Sequence, residues 1–289
     1  MLQFQAGPLK RGSLVAAAFL VASLMLAVPF LFAEQEPDKP LLKAHLELGY
    51  LAVLSHKVQF GKDGTYFSYV QSGGQDNLYA ISRMSLDLRL SARDTLIFLY
   101  QPLDLETKAP LEETLRVDGL DFPAGTPMRF VYKFPYYRVS YLHDFSKNPS
   151  TEFALGLSLQ IRNATIEFES LDGSLFRSNR NIGPVPILKL LWRHDTPSGW
   201  WWGAEADGFY APVSYINGSE NEVVGAILDA SGRVGLRLKK GTEAFLNIRY
   251  LGGGAVGTDK TPDWPSIDGY VKNWLHFLTV TVGLSLSLF

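Results

Sequence analysis

Residues 273–289 read NWLHFLTVTVGLSLSLF, and from Thr279 onward they alternate without a fault. Val280, Val282, Leu284, Leu286 and Leu288 share one face, and Thr279, Thr281, Gly283, Ser285 and Ser287 share the other. Successive side chains of a β-strand point to opposite faces, so this segment reads as a strand with one aliphatic side and one small, polar side. Such a strand suits a position with lipid on one side and water on the other.

The same alternation recurs upstream in residues 44–55, 81–90, 95–106, 128–145, 152–167, 184–194, 200–211, 222–238 and 242–251. Residues 152–167 are the clearest, with Phe153, Leu155, Leu157, Leu159 and Ile161 set against Ala154, Gly156, Ser158, Gln160 and Arg162. Two segments are irregular. Gln101 and Pro102 interrupt the third strand, as at a bulge or register change, and the apolar face of the fourth switches parity around Pro135. The connections alternate between long ones (56–78, 107–127, 170–183, 212–221, 252–272) and short ones (91–94, 146–151, 195–199, 239–241). Each strand has at least the ~9–11 residues that a tilted strand needs to cross a bilayer. An open edge in lipid would leave backbone groups unpaired at several kcal/mol each, so the strands must close on themselves. The expected fold is all-β: a transmembrane, antiparallel, up-and-down β-barrel of ten strands, or twelve if residues 65–70 and 115–119 also pair within the membrane. A soluble β-sandwich also alternates, but it would expose fewer aromatic residues.

At the N-terminus, Lys10 and Arg11 precede an apolar run over residues 14–32 and Ala33. This is the pattern of an export signal; uncleaved, a run of about 19 residues is also long enough to span a bilayer. The expected organisation is a signal peptide at 1–33, a linker at 34–41 and the barrel at 42–289. Aromatic residues make up 13% of the chain and charged residues 19%. With a mean hydropathy of +0.02, this composition suits strands that are apolar on one face only. The absence of cysteine excludes disulfides, a lipoprotein anchor and thiolate metal sites. With 27 Lys+Arg against 29 Asp+Glu and no basic cluster, nucleic acid is not an expected partner.

The export segment, the strand rhythm and a last strand ending on Phe289 resemble bacterial outer-membrane β-barrel proteins. One departure is that Phe289 falls on the polar face, whereas that family places its terminal aromatic residue on the lipid side. The resemblance implies residence in the outer membrane and contact with its lipid and lipopolysaccharide. It also implies delivery of the C-terminal strand to the barrel-assembly machinery.

By parity, the inward face carries Arg83, Arg89, Arg138, Arg162, Lys189, Arg193, Arg233, Arg237 and Arg249 against Glu47, Asp87, Asp104, Glu106, Glu205, Asp207 and Asp229. A ten-stranded barrel is little wider than one that its own side chains fill, so these charges are expected to interlock as a plug. Trp200, Trp201, Trp202, Tyr137, Trp192 and Trp274 are expected in the interfacial girdles. His56 and His276, on neighbouring strands near the outer rim with outward parity, form a candidate lipid contact. No catalytic group, metal or cofactor is expected. His143-Asp144 and His194-Asp195 are similar to the Asp and His used by omptin-type proteases, but both abut short turns, where Asp serves as a turn cap. Gly252 to Gly257 matches G-x-G-x-x-G with no helix able to follow. The expected function is a monomeric structural or surface-binding barrel. The alternatives are a narrow channel for small, anionic solutes and a membrane-embedded hydrolase.

Overall fold

A computed structural model describes residues 40–212, 222–239, 241–260 and 268–288. The expected export signal lies outside these residues, as does Phe289. The strands in chain order are β1 (Leu42–Phe60), β2 (Phe67–Ser68), β3 (Leu78–Arg89), β4 (Asp94–Gln101) and β5 (Asp104–Pro110). Next come β6 (Leu115–Val117), β7 (Leu120–Phe122), β8 (Pro127–Lys133), β9 (Tyr136–Asp144) and β10 (Thr151–Ser170). The chain ends with β11 (Phe176–Asp195), β12 (Trp200–Pro212), β13 (Glu222–Lys239), β14 (Thr242–Thr258) and β15 (Tyr270–Ser287).

Antiparallel pairing runs β1-β3-β4-β9-β10-β11-β12-β13-β14-β15 and returns to β1 through a ladder from Lys43↔Ser287 to Phe60↔Val271. This is a closed ring of ten strands. The twelve-stranded alternative is not realised: β2 adds only two residue pairs to β1, and β6 and β7 form a separate hairpin. That hairpin turns on Asp118 (φ 46°) and Gly119 (φ 77°), the two positive φ values that a two-residue type I′ turn requires.

The two irregular segments keep their register. Gln101 pairs with Tyr136 and Asp104 with Lys133, the same offset on both sides of Pro102 and Pro135. The Phe134 amide donates to the Leu103 carbonyl at 2.8 Å across the gap. No residue is inserted; the prolines only remove two donors. Parity does not switch at Pro135 either, since Phe130, Tyr132, Tyr136, Arg138 and Ser140 are all buried on the inner side. What changes is the chemistry of the face.

β10 shows why. Its outward residues Phe153, Leu155, Leu157, Leu159 and Ile161 are 39–63% exposed and are followed on the same side by Asn163, Thr165, Glu167 and Glu169. Its inward residues run Ala154, Gly156, Ser158 and Gln160, then Ala164, Ile166 and Phe168. At ~3.3 Å per residue and a tilt of about 40°, the apolar stretch is roughly 20–23 Å tall, close to the ~25 Å band of a membrane barrel. Below that level the outside is lipid and the lumen is polar; above it the outside is water and the interior must be apolar. β10 and β11 carry this upper tier as one continuous ladder to Glu169↔Phe176. The long loop expected at 170–183 is therefore mostly strand. β11 and β12 pair only from Leu188 to Asp195, just below Pro184 and Pro186, which have no amide hydrogen to extend a ladder.

The upper tier is capped from within. Residues 61–77 fold over the mouth and insert Phe67 and Tyr69 between Phe130 and Phe168, with ring centroids 5.0–6.1 Å apart. Leu111, Leu115, Val117 and Phe122 join the same buried cluster. Offset and edge-on ring contacts of this kind add to the area each ring buries.

Candidate functional site

The lumen of the membrane tier holds a continuous chain of ion pairs. Glu47 of β1 meets Arg83 of β3 at 3.1 Å and Arg233 of β13 at 3.4 Å. Arg233 meets Glu205 at 2.6 Å, Glu205 meets Lys189 at 3.0 Å, and Lys189 meets Asp207 at 2.9 Å. Asp207 meets Arg138 at 2.9 Å, Arg138 meets Asp229 at 3.0 Å, and Asp229 closes on Arg249. Neutral partners take up part of the remaining hydrogen-bonding capacity, while Arg83 Nε, Arg233 Nε and Asn247 Oδ1 stay without a hydrogen-bond partner. Asn247 and Thr281 donate to Glu47 at 2.7 and 2.8 Å, Arg138 donates to Gln160 at 2.7 Å, and Arg249 donates to Gln101 at 2.6 Å and the Tyr136 hydroxyl at 2.8 Å. A buried charge is tolerated only when it is paired and hydrogen-bonded, and here signs alternate across the lumen to that end.

A second ionic tier lies at the turn end. Lys43 and Arg193 both reach Glu243 at 2.9 Å, Arg193 also holds Asp195 at 2.8 Å, and Arg237 meets Asp195. The Arg193 guanidinium lies 4.1 Å from the centre of the Trp201 ring, a cation–π contact. These side chains are 10–49% exposed, so this tier is wetter than the one above.

Of the sequence-derived lumen residues, Glu47, Arg83, Asp87, Arg138, Lys189, Arg193, Glu205, Asp207, Asp229, Arg233, Arg237 and Arg249 lie within these tiers. Arg89 lies on the inward register of β3, two positions beyond Asp87. The side chain of Arg162 lies outside the described residues. Asp104 and Glu106 are a correction: they stand on the outer surface, paired to Lys133 at 3.2 Å and Arg129 at 2.9 Å. They belong to the upper tier, where the wet side is the outside, and the hydrogen bond from Arg129 holds Glu106 below the ordinary carboxylate range. Trp201 is a second correction. Three consecutive strand residues cannot share a face, and Trp201 points inward at 4% exposure while Trp200 and Trp202 face out. Tyr137 faces out, stacked on Tyr100 at 5.0 Å, and Trp192 and Trp274 lie on the outward registers of β11 and β15.

His56 is the third correction. The β1–β15 ladder slips by one residue between Val53 and Ser55, a bulge at Leu54, which reverses parity beyond it. His56 is therefore fully buried, its Nδ1–H donating to Gln75 Oε1 at 2.8 Å and its ring stacked on Tyr69 at 4.4 Å. His276 does face out, 2.5 Å from the Tyr250 hydroxyl. The two imidazoles lie on opposite sides of the wall and form no common site. Sequence reasoning also passed over Lys43, Glu243, Asn247 and Gln101, and placed Thr281 on the polar face of the last strand without assigning it a partner. The first three and Thr281 share the parity of Glu47, Arg249 or Ser285 on their own strands and were legible as lumen residues; Gln101 was obscured by the proline beside it.

Two clusters have the residue types of acyl-transfer chemistry. Ser285 Oγ lies 2.7 Å from His45 Nδ1, and His45 Nε2 lies 2.9 Å from Asp87 Oδ2, so hydroxyl, imidazole and carboxylate are in the order that proton transfer from serine needs. Ser285 is only 1% exposed. At a turn, Asp94 takes the Ser91 hydroxyl at 2.5 Å, the Tyr141 hydroxyl at 2.6 Å and His143 at 2.8 Å. There the carboxylate separates serine from imidazole, and the arrangement is a turn clasp. Asp144 likewise caps its turn, accepting from the Ser146 amide at 2.8 Å.

No protein-family model matches the chain, and no curated protein does. Solved structures with a similar course include the outer-membrane protease OmpT from Escherichia coli, at 9% identity and a TM-score of 0.46 over 89% of this chain and 99% of that one. The transport unit of the autotransporter AIDA-I from Escherichia coli gives 8% identity and 0.43 over 93% and 97%. The toluene transporter TodX from Pseudomonas putida gives 9% and 0.36 over 88% and 91%. Independently of these likenesses, a closed ten-stranded ring with an apolar belt outside and paired charges within is the build of a transmembrane β-barrel.

Proposed function

We propose that this barrel is a sealed scaffold that holds a rigid platform above the outer membrane for an external partner, and that it does not conduct. The observation that carries the reading is the ion-pair chain from Glu47 to Arg249 spanning the lumen beneath the Phe67–Tyr69 cap. A solute would have to part both a salt-bridged layer and an apolar one. The β6–β7 hairpin is fixed to the cap, its Asp118 amide donating to the Phe60 carbonyl at 2.9 Å and its Arg116 held by Asp63 and Asp121 at 3.0 and 3.1 Å. Rigid scaffolds that carry projecting loops are where binding surfaces are commonly built. The test is single-channel recording of refolded protein in planar bilayers. The expected trace is flat, and reproducible current steps from folded protein would refute the proposal.

One observation favours a second reading, a hydrolase whose nucleophile is Ser285 with His45 as base and Asp87 as its orienting carboxylate. The near-complete burial of Ser285 places it behind the first. A fluorophosphonate probe would label Ser285 and spare a His45→Gln variant if this reading is right. Folded protein that takes no label removes it.

A further inference from the structure

The bulge that turns His56 into the cap turns its neighbour outward. Lys57 and Lys272 lie on the outer face of β1 and β15, above the aliphatic belt that ends at Leu54 and Leu278 and, on β15, beyond the outward His276 and Trp274, and both direct their ammonium groups at the ring of Tyr66. Their Nζ atoms lie 5.8 and 4.2 Å from its centroid. Tyr66 is 43% exposed, and it is held in place because the next residue, Phe67, is locked in the cap and pairs with Val58. Among the described residues, no carboxylate lies within ion-pair distance of either lysine. The nearby Asp268 is committed to the amides of Lys62 at 2.8 Å and Tyr270 at 2.9 Å. Elsewhere on the outer wall of the upper tier, Arg129 is paired with Glu106 and Glu169, Lys133 with Asp104 and Arg180 with Glu167, while Lys108 has neither a carboxylate within ion-pair distance nor a ring beside it among the described residues.

We propose that Lys57 and Lys272, spaced by Tyr66, form a docking site for a phosphate group of an outer-leaflet lipid. Ammonium groups on the water side of Trp274 and His276, above the aliphatic belt, face the level at which the phosphates of an amphiphile stand when its chains lie along that belt. The aromatic ring between them keeps both cations splayed and oriented at little entropic expense. The occupant is a membrane lipid rather than free phosphate, because the belt below supplies the apolar contact a soluble anion could not use. The site lies outside the lumen, so it is independent of whether the barrel conducts.

The experiment compares the full-length protein with the Lys57→Gln/Lys272→Gln variant in nanodiscs of a zwitterionic phospholipid doped with diphosphorylated lipid A. Bound lipid A is read by native mass spectrometry across a concentration series. At roughly fivefold per lysine near a charged surface, the double variant is expected to bind about 25-fold more weakly, and wild-type protein should show a similar loss with dephosphorylated lipid A. Millimolar inorganic phosphate should not displace the lipid. Heat-modifiable gel mobility verifies that the variant is folded, which two outward Lys→Gln changes leave intact. Equal retention of lipid A by folded variant and wild type overturns the proposal, as does equal binding of the dephosphorylated lipid or displacement by free phosphate.

Discussion

Replacing Glu47 by Gln removes one negative charge from the centre of the lumen and keeps the shape of the side chain. Among the described residues, Glu47 is the one carboxylate within ion-pair distance of Arg83, and both side chains are under 9% exposed. Breaking a buried pair by removing one partner destabilises by about 3–5 kcal/mol, since the other charge is left without compensation. The lower end applies here: Arg233 retains Glu205 at 2.6 Å, and the amide oxygen still accepts from Asn247 and Thr281. The expectation is about 3 kcal/mol, roughly 150-fold in the ratio of folded to unfolded protein. Urea unfolding in lipid vesicles, followed by tryptophan fluorescence and by heat-modifiable mobility, would measure it. Adding Arg83→Met removes the stranded guanidinium, so the double variant should recover about half of the loss, and the mutant cycle should show a coupling of at least ~1.5 kcal/mol. A Glu47→Gln variant within ~0.5 kcal/mol of wild type, or a cycle with no coupling, would refute the view that the lumen is held by paired charges.

Asp104→Ala should change stability by no more than ~1 kcal/mol in the same assay, because its pair with Lys133 is solvent-exposed; a loss as large as that at Glu47 would place it in the lumen after all. Phe130→Ala leaves a hole among Phe67, Tyr69 and Phe168 and should cost about 3–5 kcal/mol by urea titration. In protein carrying a single introduced cysteine, a water-soluble maleimide should label Lys57→Cys and leave His56→Cys unmodified, and the opposite pattern would deny the bulge at Leu54. Asp172, in the β10–β11 turn, has its carboxyl held down to about 2 by the Ser170 hydroxyl and by the amide and hydroxyl of Ser174. A depressed carboxyl stabilises the fold above its unfolded value of ~3.9 and loses that contribution as pH falls through the folded value. Amide exchange at Ser174 should therefore stay slow at pH 4 and speed up near pH 2; acceleration already complete at pH 4 would disprove the clasp.

The chain's alternation was enough to specify the membrane-crossing strands and, along their apolar stretches, the side that faces lipid, because that information is local: a period of two in polarity is visible in any ten residues, as 153–161 and 280–288 demonstrate; whether ten or twelve strands close the ring was left to the pairing. Three things were decided only by the closed ring. The bulge at Leu54 is a mismatch between β1 and β15, a property of a pair of strands rather than of either one, and so the inward turn of His56 and the outward turn of Lys57 left no trace in the alternation. The reversal of polarity above Ile161 and Pro135 looked like a change of parity, or like lumen carboxylates at Asp104 and Glu106, because sequence records which face is apolar and not which side is wet; that depends on where the bilayer stops along each strand. Finally, Arg138 of β9 and Asp229 of β13 are bonded across 91 positions and four strand steps of the ring, so the partner of such a lumen charge emerges only when curvature brings distant walls within a side chain's reach.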